Sequence, residues 1–191
     1  MLDDFLAVFG IINSRILLIS VLLFFIGYAL APTAYYKKYK WLLAYPFFII
    51  HLMEKHFKQD WPAPLIFLVI LTLNSLSLYF NLLSGWIVFL PYFVIIYLGL
   101  NVGVIIYHTL EGKFFYLSLF NPVALIELPA AWISITMAIQ FSLGRYIDTL
   151  PIISFMQYTV YFLQTIIPIL VLAGIIETAL IVYSRRYEKE D

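Results

Sequence analysis

The chain has 191 residues, of which 64% are hydrophobic and 19% aromatic but only 12% charged, and its mean hydropathy is +0.98. Such a composition lies outside the range of soluble domains and marks an integral membrane protein. The 11 basic and 11 acidic residues cancel and no basic tract stands out, so no nucleic acid is expected as a partner; with no Cys, disulfide frameworks, thiol catalysis and Cys-based metal sites are excluded.

A bilayer core of roughly 30 Å takes about 20 apolar helical residues to cross, so runs without formal charge mark spans. The first run is Ile16 to Tyr36. Its Ala29-Leu30-Ala31 imitates a signal-peptide cleavage site, but the residues before it are acidic, and a retained span at 16–36 is expected. Next comes WLLAYPFFIIHLM, Trp41 to Met53, short for a crossing, flanked by lysines and interrupted by Pro46. An amphipathic segment on the membrane surface, about 38–58, is expected there, with a re-entrant dip as the alternative.

Trp61 to Leu110 lacks Asp, Glu, Lys and Arg and is broken only at NLLSG, 81–85, giving spans at 62–83 and 86–109. Phe114 to Gly144, whose only charge is Glu127, gives a fourth at 121–144. Thr149 to Ser184 is longer than one crossing requires; the fifth span is placed at 160–184, with Pro168 bending it or its first part lying at the interface. There is no internal repeat and no linker, so the expectation is one all-α membrane domain over 1–191. It is a polytopic bundle of about five transmembrane helices plus one interfacial amphipathic segment.

Five crossings put Arg15 and Arg145 on one side, and Lys37, Lys38, Lys40, Lys55, Lys58, Lys113, Arg185, Arg186 and Lys189 on the other. Positively charged loops stay in the cytoplasm, which predicts a multi-pass cell-membrane protein with its N-terminus out and its C-terminus cytoplasmic.

The most enzyme-like letters are HLMEKH, with His51, Glu54 and His56. Helical zinc sites place two histidines four apart, whereas five apart separates them by about 140°. This predicts an interfacial cluster, no metal and no cofactor. No nucleophile elbow, phosphate loop or paired-carboxylate motif occurs elsewhere, so no catalytic residue and no enzyme activity are expected.

The informative polar residues lie inside the spans. Asn121-Pro122 is a good helix start, placing Glu127 about 9 Å into span four; Glu177 precedes Arg185 by a similar depth, about 12 Å. A charge facing lipid costs several kcal/mol, so both acids should point inward. Small residues agree: Ala130, Ala131, Ser134 and Ala138 share the Glu127 face, and Ala173 and Gly174 lie near Glu177. Asn101 and His108, seven apart, share a face of span three, with Gly99 and Gly103 on another side for a second helix contact. Asn74, Ser77 and Asn81 form a stripe on span two, and Pro129 leaves the Leu125 carbonyl without its helical donor. Glu127 is expected to act as a clamp in one layer with Glu177, Asn101 and His108, holding span four against spans three and five. A proton or solute site is the alternative.

The block NPVALIELPAAWIS resembles the signature of the stage II sporulation protein M family, a proline followed a few residues later by an apolar residue, Glu, Leu, Pro and Ala. Pro122, Glu127, Leu128, Pro129 and Ala130 match it; Val123-Ala124 stands where the family often has His-Gly. The resemblance extends to Asn74-Ser75, to Gly99-x-Asn101-x-Gly103 and to LAGIIETAL around Glu177. It implies a polytopic membrane protein without established enzymatic activity; in spore formers, the founding member is similar to a scaffold that anchors peptidoglycan-remodelling partners during engulfment. Some resemblance to the permease halves of ATP-driven exporters also exists.

The expected function is therefore a non-catalytic membrane scaffold, a homo-oligomer that holds a membrane or cytoplasmic partner such as an envelope-remodelling enzyme. The alternative is a permease-like subunit for a hydrophobic or cell-envelope solute, with a separate ATPase contacting Trp41 to Met53.

Overall fold

The computed structural model describes residues 8, 10–57, 61–147, 150 and 152–187, with backbone alone at 52–57, 186 and 187. Helices α1 (Ser14–Tyr36), α2 (Lys40–Phe57), α3 (Ala63–Leu83), α4 (Leu90–Thr109) and α5 (Pro122–Leu143) are followed by α6 (Phe155–Tyr161) and α7 (Ile167–Tyr187), and no strand occurs among the described residues. Five segments are long and apolar enough to cross a membrane: Ser14–Tyr36, Ala63–Trp86, Leu90–Thr109, Pro122–Leu143 and Phe155–Arg185.

Local chemistry sets the boundaries. The Asn13 side chain caps α1 by accepting from the Arg15 and Ile16 N–H groups, and Asn121 caps α5 by accepting from Ala124 N–H, with Pro122 behind it. Span three starts at Leu90 rather than 86 because a tight 3-10 turn, Ser84–Trp86, and the residues after it precede the helix, where Pro91 occupies the first turn. Pro46 does not interrupt its segment: α2 runs through it as a single helix.

Span five also differs from expectation. It starts at Phe155, and α6 and α7 are joined by a π-helical turn, Phe162–Ile166, in which the Ile167 N–H donates to the Phe162 carbonyl. Pro168 lies immediately beyond; lacking an N–H and crowding the preceding turn, it favours the wider bulge over a sharp break.

Contacts between helix ends fix the path of the chain. At one end the Asn13 N–H donates to Gln140 Oε1 at 2.9 Å, Arg145 donates to the Gly85 carbonyl at 3.1 Å, and the Trp86 and Phe155 rings lie 5.3 Å apart. At the other, Tyr107 donates to the Tyr36 hydroxyl at 2.6 Å and Arg185 donates to the Trp61 carbonyl at 3.1 Å. Helix α2 thus begins and ends on one side of the bundle. Arg15 and Arg145 are separated from Lys37, Lys40, Lys113 and Arg185, as five crossings require.

Helix α5 lies between two large cores, beside a third small cluster of Ile16, Ile139 and Leu150. Its Leu128, Ile135 and Ala138 pack with Phe24, Tyr28 and Ala31 of α1 and Ile95, Leu100 and Val104 of α4. Its Ala130, Ala131, Ile133 and Met137 pack with Leu78 and Leu82 of α3 and with Tyr158, Phe162, Ile166 and Leu170 of span five.

The closest approach is between α1 and α4. A Cβ on Gly27 would lie 1.9 Å from the Ile96 carbonyl oxygen, and one on Gly99 would lie 2.0 Å from the Phe24 carbonyl oxygen. Gly103 adds a third point, against Ala31. The Gly99–Gly103 pattern therefore serves the second helix contact expected of it, and Gly27 is its reciprocal on span one. For Gly27 and Gly99 backbone is the obstacle, so Gly27→Ala and Gly99→Ala should each cost about 1–3 kcal/mol. Thermal unfolding in detergent checks this, with Gly10→Ala, where nothing lies within 4 Å, expected to be neutral.

Candidate functional site

Glu127 lies in the second turn of α5, with its side chain directed at α3. Asn74 Nδ2 donates to Glu127 Oε1 at 2.6 Å, a short link between spans two and four. The Glu177 carboxyl on α7 is close enough to Glu127 for the two groups to interact electrostatically, and both side chains are partly buried. Both acids thus face protein, as the desolvation argument requires.

The other expected members are placed elsewhere. The His108 Nδ1 lies 3.0 Å from the Tyr35 hydroxyl, and its ring meets Phe47 edge-on at 5.5 Å, so His108 joins α4 to α1 and α2. Asn101 is buried on α4 with its Oδ1 unpartnered, and Asn81 is buried on α3 with its Nδ2 unpartnered. The hydrogen bonds form two groups: Glu127 with Asn74 across spans four and two, and His108 with Tyr35 across spans three and one. Glu127 bonds span two, not span three. The reason is the glycine face of α4, which commits that helix to α1, while the small residues beside Glu127 on α5 admit α3 and span five.

Pro129 sits inside α5, which continues as helix to Leu143. Further along, α5 makes one interhelical contact after another. Ser134 donates to the Leu78 carbonyl at 2.7 Å, and Thr136 Oγ1 lies 3.2 Å from Ser20 Oγ. Gln140, fully buried, donates to the Ile11 carbonyl at 3.0 Å and accepts from the Asn13 N–H at 2.9 Å. The Arg145 guanidinium lies 4.8 Å from the Phe141 ring centroid. In the sequence, Ser134 stands out only for its size, and a reading that weighs formal charge passes over Ser20, Thr136 and Gln140. The signal that could have found them is any amide or hydroxyl in an apolar run, which must find a partner inside the bundle.

No group of three or more His, Cys, Asp or Glu suited to a metal occurs among the described residues. His51 is exposed, and the side chains of Glu54 and His56 lie outside the described residues. The Glu127 site can hold a proton or a hydrogen-bonding partner, and its bond to Asn74 joins two helices.

This arrangement is built on the segment 122–130. A family model described as Stage II sporulation protein M matches residues 9–180. The chain belongs to the stage II sporulation protein M family. No curated protein and no solved structure matches it. In this member, the Pro-x-x-x-x-Glu-Leu-Pro-Ala block forms the start of α5, with the Glu bonded to span two.

If the Asn74–Glu127 bond is a structural tie, Glu127→Gln keeps most of the stability, because Gln retains the acceptor and the shape. Glu127→Leu and Asn74→Leu should each lose about 1–3 kcal/mol by leaving the partner unsatisfied. Thermal unfolding of the three variants in detergent decides the matter. A Glu127→Leu variant as stable as the parent would instead show that Glu127 is kept for a proton or ligand.

Proposed function

We propose that this protein is a non-catalytic membrane scaffold that works as a homo-oligomer and holds partner proteins at the cytoplasmic side through α2. The observation that carries this reading is the two-faced character of that helix. Leu43, Pro46 and Ile50 are buried against the bundle, while Trp41, Tyr45 and Phe48, spaced i, i+4, i+7, are 76%, 46% and 61% exposed. A row of three large aromatics on a helix already anchored by its opposite face is suited to a headgroup layer or a protein partner. The interior supports the same reading, since Glu127, Ser134, Thr136 and Gln140 of α5 are engaged in joining helices.

A permease-like subunit with a separate ATPase is the second reading, favoured by the two acids that interact inside the bundle. A photo-crosslinking amino acid at positions 41, 45 and 48, used in living cells, separates the two. A cell-envelope-remodelling enzyme among the adducts supports the scaffold, and an ATPase supports transport. Adducts with lipid alone at all three positions would sink the proposal that α2 is a protein-docking surface.

The orientation follows from the distribution of basic residues, and single cysteines in this Cys-free chain test it. Ile87 is 62% exposed in the turn after α3, at the end opposite Lys113. An impermeant thiol reagent on intact cells should label Ile87→Cys and spare Lys113→Cys; the reverse pattern would place the C-terminus outside.

A further inference from the structure

A cavity of about 380 Å³ lies between α1, the first turns of α5 and the turn that precedes α5. Its walls include Tyr28, Leu119, Leu125, Leu128, Pro129 and Trp132. Its volume falls within the roughly 300–1,000 Å³ of ligand pockets. From Pro122 to Trp132, α5 rises about 15 Å. That is half of a hydrocarbon core of roughly 30 Å, or the depth of one leaflet.

The polar groups around it define its chemistry. The Tyr28 hydroxyl is committed to the Phe115 carbonyl. Trp132 Nε1 is buried without a partner, and its ring is fixed by Phe24 at 5.8 Å and Phe25 at 6.1 Å. Nearer the mouth, Pro129 removes the helical donor to the Leu125 carbonyl, leaving an acceptor for a hydroxyl at the level of a lipid's polar end. Around the mouth, Phe114, Tyr116, Leu117 and Phe120 are exposed at 63–75%, the aromatic character of a membrane interface.

We propose that this cavity is a binding site for one hydrocarbon chain of a membrane lipid, with its polar end among the aromatics of the 114–120 turn and its chain running past Leu128 and Pro129 to Trp132. The medium around these helices is hydrocarbon, and the lining of the cavity is mainly apolar. The site is independent of the scaffold reading, because it lies on the α1 side of α5, away from Glu127 and from the exposed face of α2.

The test uses the full chain in phosphatidylcholine nanodiscs that contain a phosphatidylcholine with a diazirine on its acyl chain, with adducts mapped by peptide mass spectrometry. Leu119 and Leu128 are 8% and 9% exposed, so a chain that only bathes the outer surface does not reach them, whereas Leu18 and Leu172, each 59% exposed, report that surface. Adducts are expected at Leu119 and Leu128 in the parent. They should fall several-fold in Ala29→Phe and in Ala124→Phe, which fill the cavity from two different walls, with labelling at Leu18 and Leu172 unchanged. Unfolding temperature shows which variants are folded, and either one suffices. Adducts confined to exposed side chains in the parent, or adducts at Leu119 and Leu128 that survive a folded filling variant, would overturn the proposal.

Discussion

The contact between α1 and α4 through Gly27 and Gly99 is the constraint on which the rest of this bundle depends. In lipid there is little hydrophobic drive between helices, so association rests on close packing and on polar bonds. Two glycines, each against the other helix's carbonyl, let the backbones meet along most of both spans. That pairing brings Tyr35 to His108 and Tyr36 to Tyr107, and it forms the platform on which Phe47 of α2 rests. Tyr28, held in the same contact, stacks on Phe115 at 4.3 Å and bonds its carbonyl, tying the turn before α5 to α1. The placement of α2, of the 110–121 turn and of the start of α5 thus follows from two missing side chains.

Against this pair, α5 is the element that gathers the remaining spans. Its side chains bond in succession to α3, α1 and the segment before α1, from Glu127 through Ser134 and Thr136 to Gln140. A polar group in an apolar medium is costly when unpaired, so each bond specifies position as well as contributing stability. The cost of the arrangement is visible in Asn81 and Asn101, each buried with one polar atom unpartnered.

How legible this was in the sequence depends on the range of the forces involved. Span number and order were readable because membrane thickness sets a length that charge-free runs either reach or do not. The inward direction of Glu127 and Glu177 was readable because lipid excludes charge, and the Gly99–Gly103 contact because small residues at that spacing have few other uses. The partner of Glu127 was not readable. Asn101, His108 and Asn74 are each compatible in type and depth, and only the packing of α4 on α1 removes the first two. The broader bulge before Pro168 was hidden for a related reason: a proline predicts a disturbance of the helix, but whether the helix bends or widens is decided by neighbours distant in sequence.

The family-signature block at the start of α5 can then be read as two faces of one helix. Glu127, Ala130, Ala131 and Ser134 repeat at helical spacing and face α3 and span five, where they bond or permit close approach. Leu125, Leu128, Pro129 and Trp132 repeat at the same spacing on the side toward α1 and line the cavity. A proline in this turn serves both faces. Its ring keeps the turn apolar and frees the Leu125 carbonyl on the cavity side, while the carboxylate two residues earlier ties the same turn to span two. A bundle held on one face by a polar bond and left open on the other to hydrocarbon carries an asymmetry that packing alone does not require. It sets the cavity directly beside the turn at which span four is tied to span two.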